Sequence, residues 1–350
     1  MSFLRRPFFI RLLNWEYWSF GMVYTWIYPV WILLCLRARS LFFFSASNPS
    51  IENGGFLNES KKDIHPLIPA EFSPATLFFS IPANAELVLK ELASNGMDYP
   101  LIGKPDIGGR GRGVKVLADD EAVRKYVHTA FLNFHIQEFV SYKEEVGIFY
   151  YRYPNQVNGV VSGIVTKKFL SVRGDGKQSL LELIRHSDRA LLQEESLKNI
   201  YGEGMNLVLP NGEERVLVPY GNHARGAMFF DDSHRIDAEL TKTIDLVCKK
   251  ISGFYFGRLD IRFDNWTDLK QGKKFAIIEV NGAGSEPTHI YDPKHSIFFA
   301  WAEIIRHWIV LNRISRMNHK KGFPYLSFKE GVRMFREDKE NSRKLAAMPE

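Results

Sequence analysis

The 350-residue sequence predicts an α+β fold in which most strands pair antiparallel. Short apolar runs recur at the close spacing of hairpins, and such spacings outnumber strand–helix–strand units. Helical periodicity is confined to separate stretches; the clearest places one apolar face on Ile236, Leu240, Ile244, Val247 and Ile251. The composition is 45% hydrophobic and 25% charged, which excludes a disordered chain, a collagen-like fibre and a multi-span transporter.

The predicted elements follow one another with short connections. Strands are expected where apolar runs are bounded by polar or glycine-containing turns, at 41–44, 76–81, 99–104, 114–117, 136–140, 146–152, 160–168, 258–263 and 275–280. Helices are expected at 84–93, 119–127, 179–186, 236–251 and 296–311. The last of these helices is rich in Phe, Trp and Ile, and it suits either the core or the surface of a homodimer.

Basic residues are concentrated at the two ends of the chain. The net charge is +6; residues 1–40 contribute +4 and residues 311–350 contribute +5, so the remainder sums to −3. A nucleic-acid-binding protein more often carries a basic stripe through its folded body, so no nucleic-acid partner is expected. Basic ends suit an anionic membrane surface, and a solvated helix face explains the C-terminal charges equally well. The two cysteines, Cys35 and Cys248, exclude a disulfide scaffold.

An apolar segment lies near the N-terminus. Residues 17–36 contain no charged side chain, and their number is about that needed to cross the hydrocarbon core of a bilayer. Pro29 interrupts the segment, and arginines flank it on both sides. Three structures remain open: a single spanning helix, a broken in-plane (peripheral) or re-entrant helix, and a core or partner-binding helix. We favour an enzyme attached to the cytoplasmic side of the cell membrane.

The first motif with a chemical meaning is YPLIGKPDIGGRGRGV, at residues 99–114. A predicted strand ends at Lys104, and a loop with four glycines follows, at Gly108, Gly109, Gly111 and Gly113. Glycines let backbone N–H groups approach phosphate oxygens, and a lysine adds positive charge. The loop is not a Walker A loop, because no Gly-Lys-Ser/Thr follows at the required spacing. A structural turn of the same composition is the alternative.

The second motif combines GRLDIRF at 257–263 with IIEVNGAGSEP at 277–287. Asp260, Glu279 and Asn281 place three oxygen-bearing side chains on two neighbouring strands. Glu279 and Asn281 are two residues apart and therefore project from the same face. Hard oxygen donors of this kind suit Mg²⁺ held between carboxylates and nucleotide phosphates. The alternative is a surface hairpin, but an acid in an otherwise apolar run needs a partner.

Taken together, these motifs resemble the ATP-grasp superfamily, and within it the D-alanine–D-alanine ligase, glutathione synthetase and cyanophycin synthetase types. The resemblance covers about residues 58–311, and the order of the motifs makes it specific. It implies an ATP-grasp fold, in which two α+β subdomains grip ATP, after an N-terminal apolar membrane-associated segment at 1–40. The catalytic domain would span 41–311, with its nucleotide-gripping subdomain at about 84–150, and a basic tail would occupy 312–350.

The resemblance also implies roles for individual residues. Those implied to bind ATP are Lys61 (or its neighbour Lys62), Lys104, Gly108, Gly109, Gly111, Gly113, Glu138, Phe139, Val140 and Glu145. Within this set, residues 138–140 would meet the adenine and Glu145 the ribose. Those implied to hold Mg²⁺, with Mn²⁺ as the alternative ion, are Asp260, Glu279 and Asn281. Arg258 would steady the transferred phosphoryl group, with Lys104 beside the phosphates.

Two residues outside the matched motifs are further candidates for binding substrate or nucleotide. Arg225 is a candidate for binding a substrate carboxylate, and a structural loop arginine is the alternative. Lys168, or its neighbour Lys167, is placed by a predicted strand where it could reach the nucleotide.

The implied reaction is an ATP- and Mg²⁺-dependent ligation of a carboxylate to an amine or thiol through an acylphosphate. Arg258 and backbone N–H groups at 282–285 would stabilise the oxyanion formed when the amine attacks. Only about 57 residues precede the first lysine, so the acceptor site is expected to be built otherwise, from residues 45–59, from the membrane segment or from a partner chain. The expected carboxylate and amine are small molecules or lipid-like. The alternatives are an ATP-grasp kinase acting on a polyol or lipid headgroup, and a non-catalytic nucleotide-binding scaffold.

Overall fold

The structure is a computed structural model, and it describes residues 7–109, 111–218, 221 and 223–346. The strands are β1 (Thr76–Phe79), β2 (Leu101–Pro105), β3 (Lys115–Leu117), β4 (Phe134–Glu138), β5 (Glu144–Tyr151), β6 (Val160–Lys168), β7 (Leu170–Arg173), β8 (Glu214–Val218), β9 (Met228–Asp231), β10 (Phe256–Phe263) and β11 (Phe275–Asn281).

The α-helices are α1 (Pro7–Leu13), α2 (Phe20–Tyr24), α3 (Tyr28–Ala38), α4 (Lys61–Ile64), α5 (Ala85–Ser94), α6 (Asp120–Thr129), α7 (Leu180–His186), α8 (Asp188–Leu191), α9 (Glu194–Tyr201), α10 (Ala238–Lys250), α11 (Trp266–Lys270), α12 (Ile297–Lys320) and α13 (Phe328–Ala346). The predicted mixture of helices and antiparallel strands is confirmed, because β1–β4, β2–β3, β2–β4, β5–β10, β6–β9, β7–β8 and β10–β11 all pair antiparallel.

The chain divides into two compact units. The first contains the residues up to Tyr28, together with Val165–Asp231 and Thr288–Glu303. The second contains Pro29–Ile164, Asp232–Pro287 and the residues from Ile304 onward.

The second unit is built around two sheets. In the four-stranded sheet the order is β1-β4-β2-β3, and helices α5 and α6 contribute Val88, Leu92 and Val123 to its core. In the other sheet β10 lies between β11 and β5. Its core is covered by α10, whose predicted apolar face is confirmed by the burial of Leu240 and Ile244. Both helix α5 and helix α10 begin where an N-cap side chain accepts backbone N–H groups, as expected for Asn and Asp.

The first unit contains the β7–β8 pair, helices α7–α9 and a short 3₁₀ helix at Trp15–Tyr17. The Glu16 carboxylate accepts a hydrogen bond from Arg189 and lies 3.2 Å from Nε2 of His223. Burial opposes the charged form of Glu16, but His223 and Arg189 hold its pKa below the usual value. In the same short helix, the indole N–H of Trp15 donates to the carbonyl of His295.

The apolar N-terminal segment is divided between α2 and α3. The continuous spanning helix that residues 17–36 left open is therefore not formed. Within the described residues, no helix combines the length and the apolar character that crossing a bilayer requires. Helix α3 instead buries Leu34 and Cys35, and Asn312 of α12 donates to the carbonyl of Leu34 at 2.9 Å.

The strand predicted at 41–44 is wrong. Residues Phe43–Ala46 form a 3₁₀ helix. The rings of Phe43 and Phe44 are buried against Trp31, and Phe44 also stacks on Phe56 with centroids 3.8 Å apart. An apolar run this short suits a buried turn as well as a strand, so its periodicity cannot distinguish the two.

Candidate functional site

Lys104 lies on β2 in the four-stranded sheet of the second unit. Its ammonium donates to Oε1 of Gln137 on the neighbouring strand β4 at 2.7 Å. Burial lowers the pKa of Lys104 to about 8, although the nearby Glu279 carboxylate opposes that shift. The preceding residue has to be glycine, because a Cβ at Gly103 would lie 2.9 Å from the ring of Tyr126. The strand therefore holds a cation that is poorly solvated in the free protein.

The glycine-rich loop after β2 depends on backbone conformations that favour glycine. Gly108, Gly111 and Gly113 have φ angles of 139°, 68° and 69°. Gly109 has no positive φ, and no atom lies within 4 Å of the Cβ that a side chain there would add. The neighbouring Arg110 is outside the described residues.

Lys61 is the member of its lysine pair that faces this loop. It is the first residue of α4, which Ser60 caps by accepting the backbone N–H of Asp63. The Lys61 ammonium donates to the carbonyl of Gly108 at 2.8 Å and lies 3.7 Å from Oε1 of Glu279. The side chain of Lys62 is exposed, and only its backbone N–H bonds towards the loop.

The acidic residues lie on paired strands. In the register of β10 and β11, Asp260 is opposite Glu279 and Arg258 is opposite Asn281. The Arg258 guanidinium donates to both oxygens of the Asp260 carboxylate, at 2.9 and 3.1 Å. Burial disfavours the charged guanidinium, but Asp260 and Glu279 raise the pKa of Arg258 above its usual value. A bulge follows Asp260 and shifts the register of the remaining residues.

The donor set fits a hard cation such as Mg²⁺. Among the described residues, no three His, Cys, Asp or Glu side chains lie together as metal ligands. The candidate ligands on β10 and β11 are instead two carboxylates, Asp260 and Glu279, and one amide, Asn281. Nδ2 of Asn281 is buried and has no hydrogen-bond partner among the described residues. A half-turn of the amide would present its oxygen instead. Arg258 engages one lone pair of each Asp260 oxygen, which by itself does not exclude an ion.

The predicted adenine and ribose residues lie at the end of β4 and the start of β5. Glu138 is exposed, and Arg262 donates to the carbonyl of Val140 at 3.3 Å. The same guanidinium lies over the ring of Phe139 and 3.6 Å from a carboxylate oxygen of Glu145. Arg262 thus holds this turn in place. Arg262 lies two residues after Asp260, and this spacing predicts that the two side chains project from the same face of the strand.

Sequence reasoning also missed a close contact between residues 54–59 and the loop after β11. Oε1 of Glu59 accepts the backbone N–H of Gly282 at 2.6 Å, and burial raises the pKa of Glu59 to about 7. The backbone N–H groups of Ala283 and Gly284 donate to the carbonyls of Gly54 and Gly55. A Cβ on Gly55 would lie 2.7 Å from Cα of Gly282, so the contact requires glycine.

This contact corrects the prediction that the backbone N–H groups at 282–285 stabilise an oxyanion. Each already donates within the protein: Gly282 to Glu59, Ala283 and Gly284 to residues 54 and 55, and Ser285 to the carbonyl of Gly282. These N–H groups are therefore engaged, and Arg258 is left as the predicted oxyanion-stabilising group.

A cavity in the second unit is lined by side chains of both sheets. The four-stranded sheet contributes Phe78, His135 and Gln137 to its lining, and β11 contributes Glu279. Lys61 and Glu59 complete the charged part of the lining. Side chains of two sheets therefore line one cavity, and its charged lining consists of Lys61 with the carboxyl groups of Glu59 and Glu279.

Arg225 and Lys168 belong to the first unit. Arg225 ends a 3₁₀ helix at His223–Arg225, and Lys168 ends β6, where it pairs with Met228 of β9. Lys61, Lys104 and Glu279 belong to the second unit.

No family model and no curated protein sequence matches the chain. Among solved structures, the chain is similar to the VanG D-Ala:D-Ser ligase from Enterococcus faecalis, with 18% identity and a TM-score of 0.41 over 72% of this chain and 61% of that one. It is similar to a bifunctional glutathione synthetase from Pasteurella multocida, with 16% identity and a TM-score of 0.38 over 71% of this chain and 34% of that one.

A D-alanine–D-alanine ligase from Bacillus anthracis complexed with ATP matches with 14% identity and a TM-score of 0.44, over 75% of this chain and 68% of that one. The chain thus spans less than two thirds of the first two of these proteins. All three TM-scores are below 0.5.

Proposed function

We propose that the protein is an ATP- and Mg²⁺-dependent ligase that joins a carboxylate to an amine or thiol. The observation that carries the proposal is a cavity lined by Lys61 and Glu279, with Lys104 donating to Gln137 of the same lining and close enough to Glu279 for their charges to interact. Two lysines supply the positive charge that a triphosphate needs, and a carboxylate beside them supplies a ligand for the accompanying cation. The predicted roles of the glycine loop and of residues 138–140 extend this proposal to the whole nucleotide.

In this proposal Asp260, Glu279 and Asn281 would hold Mg²⁺, which would supply positive charge against the charge that develops on the phosphates. Lys61 and Lys104 orient the same phosphates. The substrate carboxylate attacks the γ-phosphorus, the bond to the bridging oxygen breaks, and ADP leaves with an acylphosphate remaining. The amine or thiol then attacks the acyl carbon, and phosphate leaves. Arg258, whose guanidinium donates to Asp260, would stabilise the oxyanion of that second step.

The ligase is separated from the alternative kinase by its products. We expect ADP and inorganic phosphate to appear in equal amounts, and only when a carboxylate and an amine or thiol are both present. Coupled assays for ADP and phosphate, run with a pool of candidate acids and amines, would test this. Dividing the pool into halves would then identify the active pair. A phosphorylated polyol or headgroup formed without free phosphate would favour the kinase. A protein that bound ATP and never turned it over would favour the scaffold.

We further propose that residues 1–40 attach the enzyme to the cytoplasmic side of a membrane, in the plane of the interface. This is supported by exposed apolar side chains on α3, where Ile32, Leu33 and Leu36 are 58%, 64% and 68% exposed. Arg37 and Arg39, which are also exposed, follow at the end of the helix. Apolar groups next to arginines favour an anionic lipid interface.

Flotation with phosphatidylglycerol vesicles tests this attachment. The full chain is expected to float, and a Leu33→Glu/Leu36→Glu variant is expected to remain in the dense fraction, because two exposed apolar side chains that would enter the lipid are replaced by acids that an anionic surface repels. Leu87→Glu, at an exposed position of α5, is the matched control and should float as the wild type does. Equal flotation of the double variant would refute attachment through α3.

In this proposal the catalytic domain spans residues 41–311 and its nucleotide-gripping subdomain about 84–150. Residues 312–350 form a charged C-terminal region. The substrates in this proposal are small or lipid-like, and no nucleic acid takes part. Arg225 and Lys168 keep their proposed roles towards the substrate carboxylate and the nucleotide.

A further inference from the structure

The C-terminal helix α13 buries one face within the second unit. Gly331, Met334 and Leu345 are buried along it, whereas most of the remaining side chains are charged. At its first turns the helix lies close to the ring of Phe42, because a Cβ on Gly331 would be 2.3 Å from that ring. Met334 is 2% exposed. The helix is therefore packed into the unit along its length, and its sequence is amphipathic for that reason.

The middle of α13 holds the segment that leads to the first phosphate lysine. Nδ2 of Asn58 donates to the carbonyl of Met334 at 3.0 Å, and Nδ2 of Asn341 donates to Oδ1 of Asn58 at 3.2 Å. Asn58 has a φ of 59°, a left-handed conformation that asparagine tolerates better than most residues. Lys61 follows three residues later. Two hydrogen bonds thus tie the Asn58 side chain to α13.

The end of α13 reaches the glycine-rich loop. Leu345 is 7% exposed, and its Cδ1 lies 2.7 Å from the position that a Cβ on Gly108 would take. The carbonyl of Gly108 is the group that accepts the ammonium of Lys61 at 2.8 Å. One helix therefore touches the loop directly through Leu345 and touches the segment before Lys61 through Asn341.

We infer that α13 is a positioning element of the ATP phosphate site, in which Leu345 supports the loop at Gly108 and Asn341 supports the segment that carries Lys61. This inference rests on the proposed function. Neither Leu345 nor Asn341 touches the nucleotide; both act through groups that do. Loss of either support leaves the lysine and the loop with more conformations to lose when the phosphates bind, which weakens binding without changing the chemical groups at the site.

The test compares binding of the non-hydrolysable ATP analogue AMP-PCP with Mg²⁺, by calorimetry on the full chain. We expect Leu345→Ala and Asn341→Ala each to raise the Kd on the order of tenfold, since small displacements of binding groups have effects of this size. Lys344→Ala, at an exposed position between them, is the control and should bind as the wild type does. In turnover assays the KM for ATP should rise while the kcat changes little, a split that lost stability alone does not produce.

A double variant sharpens the test. Gly108→Ala places a methyl group against Leu345 and should weaken nucleotide binding. Part of that loss should be recovered in Gly108→Ala/Leu345→Ala, which removes the clash. The strain from the positive φ at residue 108 would remain in both variants. Should Leu345→Ala not fold, Asn341→Ala still decides the matter. Unchanged Kd values in folded Leu345→Ala and Asn341→Ala proteins would overturn the inference alone. A wild-type protein that bound no nucleotide would overturn the proposed function, and this inference with it.

Discussion

Replacing Glu279 with glutamine is expected to lower ATP turnover by about a hundredfold or more. The substitution keeps the size of the side chain and removes the charge that faces Lys61 at 3.7 Å. Asp260 is already shared with Arg258, so Glu279 is the carboxylate best placed to hold the cation of a magnesium nucleotide. Its loss should raise the magnesium concentration needed for half-maximal turnover as well as lower the maximal rate.

Phosphate release measured across a magnesium series gives both quantities. Glu144→Gln is the matched control, because Glu144 is an exposed acid on β5 that makes no part of the proposed metal site. Its turnover should stay within about twofold of the wild type, as is usual for surface substitutions. If Glu279→Gln turned over ATP as fast as the wild type at every magnesium concentration, Glu279 would not be a metal ligand.

Replacing Lys104 with methionine is expected to weaken nucleotide binding by about ten- to a hundredfold. A hydrogen bond from a charged group contributes about 1.5–3 kcal/mol, and methionine fills similar space without the charge. The effect should fall mainly on affinity for the triphosphate and little on affinity for adenosine, which lacks the phosphates. Fluorescence titration with a labelled ATP analogue measures it. Lys125→Met, at an exposed position of α6, is the control for removal of one positive charge.

The affinity of the wild type should also depend on pH in one direction. Because the pKa of Lys104 is lowered to about 8 in the free protein, the ammonium is charged below pH 8 and loses its proton above it. A bound triphosphate favours the charged form, so binding takes up a proton at high pH, and the Kd should rise between pH 8 and pH 9.5. Lys104→Arg keeps the charge throughout this range and should flatten the profile. A wild-type profile as flat as that of Lys104→Arg would contradict the assignment.

The parts of the site that local sequence determines agree with the structure. The pattern around Asp260 and Glu279 predicts two adjacent strands, and β10 and β11 do pair with these residues opposite each other. The strand before the glycine loop, the loop itself and the apolar face of α10 follow from spacing and composition in the same way. These features depend on residues close in the chain, so their periodicity is informative.

The features that were missed depend on contacts between distant segments. Glu59 meets Gly282 across 223 positions of sequence, and Asn48 is buried with bonds to Gly54 and to the backbone of β10. Nothing in the local pattern of residues 45–59 distinguishes such contacts from a solvated loop. The same limit explains the wrong prediction that the backbone N–H groups at 282–285 stabilise an oxyanion. The sequence does not show their acceptors, whereas in the fold each of them donates within the protein.

The apolar segment at 17–36 shows a different limit. Its hydropathy is consistent with a spanning helix, yet the chain breaks between α2 and α3, and Trp31 packs among the rings of Phe43, Phe44 and Trp308. Composition alone does not reveal which apolar side chains will find a partner inside the protein. On the same helix Leu34 is buried whereas the adjacent Leu33 is exposed, so neighbouring apolar side chains can differ completely in burial.

The central claim is that this site binds a magnesium-bridged triphosphate, and calorimetric titration of the full chain tests it most directly. We expect ATP to bind with one site per chain when Mg²⁺ is present and to bind much more weakly in EDTA, with Glu279→Gln losing most of that difference. Titrations that show no heat with Mg²⁺ and ATP at several temperatures, or an affinity that is identical in EDTA, would contradict the account.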